Sequence, residues 1–327
     1  MKTIRYGTRG SKLALAQSAM VARALAEATG ATVERVVITT SGDMFSLQGD
    51  GPTQPPDAPD LPSPRPSPET RERELMKTEA PNVKAMFVKE IEEALLDGRI
   101  DFAVHSAKDL PAALPPGLIL AAVPPREDPR DAFLPAPRSS TFGKLKQGGL
   151  IATGSLRRRI QLALARPDAL FAPIRGNVDT RLGRLDRGEF DGMILAMAGL
   201  RRLGLNSRRH EALPESVVVP APGQGTLAIE AREDRADVLD LLRVLEDAPT
   251  RLELEAERAF LAAVGGGCET PLGCLARVAG PRIAVTAFWS EADGSKPRRL
   301  AEQGEAESGR EIAERMAARM LAGAANG

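Results

Sequence analysis

The chain has 327 residues with 44 basic and 44 acidic side chains, so no global field draws it to nucleic acid or to an acidic membrane surface. That length exceeds one ordinary core and predicts two or three domains. Two cysteines, Cys268 and Cys274, are too few for a disulfide framework, and with His105 and His210 as the only histidines no bound metal is expected. The sequence enters a strand at Ile4 without an apolar leader and no stretch reaches membrane-spanning length, which predicts a cytoplasmic protein.

In chain order, Ile4 to Tyr6 reads as a strand, followed by the turn Gly7-Thr8-Arg9-Gly10-Ser11 and a helix with Leu13, Ala16, Met20 and Ala24 on one face. A strand, a glycine-containing turn and a helix opened by Ser11 make an anion-binding geometry. Thr32 to Thr40 is the next strand. A Pro-rich insertion at about 47–70 has eight prolines between Pro52 and Pro68 and carries no core. A helix follows from about Lys84 to Leu96, with Phe87, Ile91 and Leu95 at helical spacing.

Phe102 to Val104 is a short buried strand, and His105, Ser106, Lys108 and Asp109 fall at or past its C-terminal end, where open α/β sheets bind ligands. Leu110-Pro111 enforces an extended exit and predicts a rigid, non-helical turn for Asp109. The Lys108–Asp109 pair reads either as a solvated surface pair or as a carboxylate held to stabilise a developing positive charge. Leu118 to Val123 is another strand.

Glu127 to Asp131 reads as a crossing into a second lobe, where the strand-turn-helix layout recurs. Leu150 to Ala152 leads into Thr153-Gly154-Ser155 and a helix opening with Arg157, Arg158 and Arg159. Phe171 to Ile174 leads into Arg175-Gly176-Asn177 and the helix Val178 to Arg187. Strand Gly192 to Leu195, a helix to Leu203 and strand Val217 to Val219 complete the lobe. Pro220 to Gly225 reads as a second crossing, and strand Leu227 to Glu230 returns to the first sheet. A helix over Ala236 to Leu245 closes it. A long helix over Arg251 to Val264, three strands and a helix over Arg310 to Leu321 predict a third, α+β unit.

From Ile151 to His210 there are twelve arginines, no lysine and five acids. Arg9, Arg157, Arg158, Arg175 and Arg181 all fall near strand-to-helix turns, so they could converge on one cleft, where guanidinium forks suit carboxylates. The competing reading is helix-surface charge, which fits Arg159, Arg166, Arg184 and Arg187. Cys268 follows three glycines and is a candidate for covalent attachment, or else a small buried thiol; Cys274, between apolar neighbours, suits a core. Gln224 reads as a functional amide on a turn or as part of a hinge.

The stretches T-R-G-S-K-L-A-L-A-Q, F-V-K-E-I-E-E-A-L-L, H-S-A-K-D-L-P, E-D-P-R-D-A-F, G-S-L-R-R-R, R-G-N-V-D-T-R-L, A-G-L-R-R-L-G, P-A-P-G-Q-G and G-G-C-E-T-P-L-G occur in this order across almost the whole chain. Together they resemble the porphobilinogen deaminase family. The resemblance implies an α/β fold: two periplasmic-binding-protein-like lobes with a double-crossover hinge, plus a small C-terminal α+β domain. Domain 1 would comprise 1–126 and 226–246, domain 2 residues 127–225, and domain 3 residues 247–327. It implies a monomeric transferase that joins four porphobilinogen molecules head to tail into hydroxymethylbilane, releasing ammonia, on a dipyrromethane cofactor.

By the same resemblance, Cys268 would hold that cofactor through a thioether, and Asp109 would stabilise the cation formed as ammonia leaves. Lys108, Arg9, Ser11, Arg157, Arg158, Arg175, Arg181 and Arg202 would bind acetate and propionate groups. Thr153, Ser155 and Gly176 would support the cofactor, Gln17, Phe87 and Gln224 would line the site, and Lys84 would sit on the active-site loop. The sequence departs from the family pattern at Asn82 to Phe87, which lacks the usual loop glycines, at Gly154, which stands for a serine, and at Ala80, which stands for a lysine. The alternative is a two-lobed anion-binding or sensor protein without catalysis; an arginine-lined phosphate-sugar enzyme is a further rival.

Overall fold

The computed structural model describes residues 3–40, 85–265 and 270–325. The Pro-rich insertion, Lys84, the side chain of Phe87 and Cys268 lie outside the described residues. The chain begins with β1 (Thr3–Thr8), α1 (Lys12–Thr29), β2 (Thr32–Val37), α2 (Ala85–Leu96), β3 (Phe102–Ser106) and β4 (Leu118–Ala122). Next come β5 (Asp131–Pro135), β6 (Leu150–Ala152), α3 (Leu156–Ala165), β7 (Leu170–Ala172), α4 (Val178–Asp186), β8 (Gly192–Ala196), α5 (Met197–Arg202) and β9 (Glu211–Ala212). Then follow β10 (Leu227–Arg232), α6 (Ala236–Leu242), α7 (Ala248–Ala263), β11 (Leu272–Ala279), β12 (Arg282–Trp289), β13 (Arg298–Glu305) and α8 (Gly309–Ala325).

Three sheets result, ordered β2-β1-β3-β10-β4, β7-β6-β8-β5-β9 and β11-β12-β13. In the first, β1 runs parallel to β2 and β3, while β10 is antiparallel to β3 and β4. The second repeats that plan, with β6 parallel to β7 and β8 and β5 antiparallel to β8. The chain therefore crosses between the two lobes twice, after β4 and after β9, as the sequence predicts. Both sheets are covered on two faces, which is why their central strands are nearly continuous apolar runs.

In the first sheet Tyr6, Phe102 and Ile229 pack on Val21 and Leu25 of α1 and Leu242 of α6. On its other face Ala103 meets Ile91 and Leu95 of α2. In the second, Met193 and Leu195 pack on Leu182 and Leu185 of α4, while Phe133 and Ile194 face Leu162 of α3. The third sheet carries α7 and α8 on one face through Phe260, Val285, Ile312 and Met316.

Three readings change. Asp131, read as the end of the first crossing, opens a strand of the second sheet that the sequence reading leaves out, Asp131–Pro135: its charged start and terminal proline disguise five buried residues paired to β8. Residues 217–219 are not a strand. Val217 and Val218 donate to the Pro214 carbonyl and Val219 donates to the Gln161 side chain, so the apolar run is buried by packing alone. The segment after β3 is a short 3₁₀ turn over Ala107–Asp109, because one i+3 bond from Leu110 to Ala107 fits before Pro111; the exit at Leu110 is extended, as expected.

Candidate functional site

Each lobe offers its strand ends and helix starts to the space between them. In the first, Ser11 caps α1 by accepting from the Ala14 amide at 3.3 Å, and Arg9 stands half-buried on the turn before it. Gln17 is buried one turn further on. Beside it β3 delivers Lys108 and Asp109, both half-buried. The turn that carries them is fixed from behind: Ala107 donates to the Thr226 carbonyl at 3.0 Å. Gly223, at φ +72°, comes so close that a Cβ there would lie 2.9 Å from the Lys108 nitrogen. Only glycine satisfies both conditions, so the hinge segment and the Asp109 turn form one unit.

The hinge is also tied to the third domain. Arg126, buried at the first crossing, donates from Nη1 to Glu257 Oε1 at 2.7 Å and to Glu253 Oε2 at 3.3 Å, and from Nη2 to the Gln224 carbonyl at 2.8 Å. Glu257 Oε2 accepts from the Gly223 amide at 2.6 Å. Burial pushes the Arg126 guanidinium down, but Glu257 and Glu253 outweigh that and leave it raised. These groups place α7 against the hinge.

In the second lobe, Thr153 accepts from the Ser155 amide at 3.2 Å and Ser155 caps α3. Arg157 and Arg158 turn inward and share one carboxylate, that of Asp131. Arg157 Nη1 is 2.8 Å from Oδ2, and Arg158 Nε and Nη2 are 2.9 and 2.7 Å from Oδ1. Gln224, buried, donates to the same Oδ1 at 2.9 Å and to the Pro129 carbonyl at 2.6 Å. Burial would raise the Asp131 carboxyl, but the two guanidiniums hold it far below the usual carboxylate range. Two cations on one anion leave this buried network with a net positive charge.

Arg181 on α4 adds to it. Its Nε donates to the Gly176 carbonyl at 2.6 Å, and burial, then the field of Arg158, pushes its guanidinium down. Arg202 donates to the Gly225 carbonyl at 2.6 Å, its buried Nε has no hydrogen-bond partner, and burial lowers it to about 10 against a small opposing pull from Glu127. Among the described residues neither Arg181 nor Arg202 has a carboxylate at ion-pair distance, and neither does the exposed Arg175. Across the cleft, Lys12 Nζ at the start of α1 lies 2.5 Å from Asp179 Oδ2 at the start of α4, so the two helix starts face one another.

The sequence reading of Arg184 and Arg187 as surface charge agrees with their pairing to Glu189. Arg166 is different: besides Asp168, it ties down the Phe142 and Leu145 carbonyls. Cys274 is fully buried, with burial and then Glu257 pushing its thiol up, which removes it as a nucleophile. Sequence reasoning missed Asp131, Arg126, Glu253 and Glu257. The available signals were an acid opening the apolar run Ala132 to Leu134 and two acids four residues apart on an otherwise core-facing helix stripe.

A family model described as porphobilinogen deaminase, dipyromethane cofactor binding domain, matches residues 4–49 and 69–240, and one described as the porphobilinogen deaminase C-terminal domain matches residues 251–322. The chain is 44% identical over 298 residues to the porphobilinogen deaminase of Roseiflexus sp. strain RS-1, covering 91% of this chain and 89% of that one. It is 42% identical over 297 residues to that of Sorangium cellulosum strain So ce56, covering 90% and 89%. A solved methionine-binding protein aligns at 12% identity with a TM-score of 0.40, covering 75% of this chain and 91% of that one. The chain belongs to the porphobilinogen deaminase family.

Proposed function

We propose that the chain acts as a transferase that joins four porphobilinogen molecules head to tail into hydroxymethylbilane with loss of ammonia, working as a cytoplasmic monomer divided at 126/127, 225/226 and 246/247. The observation that carries this reading is the surplus of guanidinium in the cleft: Arg157 and Arg158 share one carboxylate, and Arg181 and Arg202 have none among the described residues. Each pyrrole unit brings two carboxylates, and buried cations short of counter-charge suit such a ligand. The same donor set fits the dipyrromethane group, which carries the same acidic side chains. When bound through a thioether to Cys268, that group supplies the pyrrole carbon from which the product grows.

The chain's own residues have separate tasks. Arg9, Ser11, Arg175, Arg181 and Arg202, with Lys108, orient the acetate and propionate groups. Arg157 and Arg158 supply the positive field from within the Asp131 network, which Gln224 links to the hinge. Asp109 faces the pyrrole nitrogens, and as ammonia departs its carboxylate offsets the positive charge growing on the ring. A carboxylate held rigidly by the hinge pays no reorganisation at that moment.

Two measurements test this. Intact mass of the protein beside Cys268→Ser should show an adduct of two deaminated porphobilinogen units in the first alone. Asp109→Asn should lower kcat by about a hundredfold or more while leaving thermal unfolding and the adduct of the purified protein in place. No adduct after incubation with porphobilinogen would shift the reading to an anion-binding protein without catalysis. Light scattering at micromolar concentration checks the monomer.

A further inference from the structure

We infer that Gln161 and Gly273 are positioning residues: from opposite sides of Val219 they set where the Arg157 guanidinium stands. The inference rests on the reading of the arginine cleft as the place where porphobilinogen is turned over. Gly273 closes the stretch G-G-C-E-T-P-L-G, whose last residues have no task in that reaction so far.

Gln161 lies one turn after Arg157 on α3 and is buried. Its Oε1 accepts from the Val219 amide at 2.8 Å, and its Nε2 donates to the Val219 carbonyl at 3.2 Å and to the Arg157 carbonyl at 3.3 Å. This two-way pairing stands in for the neighbouring strand that residues 217–219 lack, and it satisfies both backbone groups of a fully buried residue. The Val219 carbonyl also takes a second donor, Arg157 Nη1 at 2.7 Å. The same nitrogen reaches Asp131 Oδ2 at 2.8 Å. A guanidinium tied to Asp131 alone could pivot about that oxygen, and the Val219 carbonyl is the second point that stops it. Gln161 decides where that second point lies.

The other side of Val219 faces the third domain. A Cβ at Gly273, on β11, would lie 2.6 Å from the Val219 oxygen and 2.9 Å from the Pro220 oxygen. Ordinary contact for a Cβ begins at 3.4 Å, so even a methyl group would have to open this joint by about 0.8 Å. Glycine is required here by space. The next residue, Cys274, donates to the Pro220 carbonyl at 3.0 Å, so β11 is bonded to the segment as well as pressed against it. Around the joint Ile160 of α3, Val219, Leu275 of β11 and Phe288 of β12 form one apolar cluster. The oxygen that Gly273 approaches is therefore the one that Gln161 and Arg157 hold. A displacement on the β11 side is passed through it to the guanidinium.

Side-chain NMR of the purified full chain with isotope-labelled arginine reads the guanidinium directly. In the wild type the Arg157 Nη protons should give separate, slowly exchanging signals, assigned by their loss in Arg157→Lys. Gln161→Met and Gly273→Ala should each collapse them to an averaged signal, while Arg166, held by the Phe142 and Leu145 carbonyls and Asp168, keeps its own. In turnover each variant should lower kcat/KM for porphobilinogen about tenfold, the scale on which a misplaced group acts. That loss should be absent in an Arg157→Lys background, which a purely structural joint would not produce. Gly273→Ala carries the test if Gln161→Met, which leaves the Val219 amide unpaired, fails to fold.

Unchanged Arg157 signals in a folded variant, or losses in kcat/KM that add in full to that of Arg157→Lys, would overturn the proposal. The NMR measurement needs no substrate, so a chain that never turns over porphobilinogen would sink the deaminase reading while the guanidinium signals still decide the positioning.

Discussion

Helix α4 and the residue that caps its C-terminus, Arg187, carry two kinds of arginine within seven residues. Arg184 and Arg187 point outward and share Glu189, with Arg184 also lying over the Phe190 ring. Arg181, one turn earlier, turns inward to the Gly176 carbonyl, meets the field of Arg158, and finds no carboxylate among the described residues. Composition cannot separate these residues, because each is an arginine on the same amphipathic helix. The difference is electrostatic: the outer two share a carboxylate at the surface, where water screens what charge remains, whereas the inner one is desolvated and has no carboxylate among the described residues. Such a group costs stability in the free protein and recovers it when an anion arrives. Among the described residues Arg202, desolvated and without a carboxylate at ion-pair distance, is a second arginine of this kind.

The strongest way to break the contrast is to remove the one carboxylate that the inner arginines do have. Asp131→Asn leaves Arg157 and Arg158 buried without their counter-ion, and a broken buried pair costs about 3–5 kcal/mol, read as a lower midpoint in urea unfolding. The wild-type Asp131 carboxyl is held well below its ordinary value, so its contribution is present above about pH 4 and lost as pH falls further. The variant should accordingly show a shallower acid limb of stability. Wild-type stability with an unchanged acid limb would mean that the arginines find other partners and that Asp131 is dispensable.

Next in size is the inverse experiment. Arg181→Leu removes a largely desolvated cation that has no counter-ion among the described residues and is repelled by Arg158, so the free protein should unfold at the same or a higher temperature. Substrate binding should weaken at least tenfold in KM, since a charge-assisted bond to carboxylate is lost; about 1.4 kcal/mol corresponds to that factor. Opposite signs on stability and binding are the signature of a site residue. A loss of Tm together with an unchanged KM would assign Arg181 to the scaffold instead.

How much of this was legible beforehand follows the range of the interactions. The strands and helices of both lobes are set by local apolar periodicity, and the two crossings by turn residues, so Arg9, Asp109, Arg157, Arg158 and Arg181 could be placed at strand ends from the sequence. What stayed hidden is pairing over distance. Asp131 is twenty-six residues from Arg157 and ninety-three from Gln224 in sequence, and its strand is masked by a charged start and a terminal proline. Arg126 meets Glu257 across 131 positions. Val217 to Val219 failed in the other direction: three valines favour a strand, yet their amides are taken by a turn carbonyl and by Gln161.

The smallest expected effect is the one that sharpens the contrast most, because it concerns the same helix. Arg187→Ala deletes an exposed guanidinium whose partner, Glu189, keeps Arg184 at 2.8 Å. Water and salt already screen the deleted pair, and the remaining one holds the carboxylate below its ordinary range. The Tm should therefore stay within experimental error at any salt concentration, and kcat and KM should match the wild type. The comparison with Arg181→Leu then isolates burial and the missing counter-ion as the cause of function, since residue type, helix and distance along the chain are nearly held constant. A tenfold fall in kcat/KM for Arg187→Ala would show instead that the anionic ligand reaches the outer face of α4, and the inward-outward division of the helix would have to be abandoned.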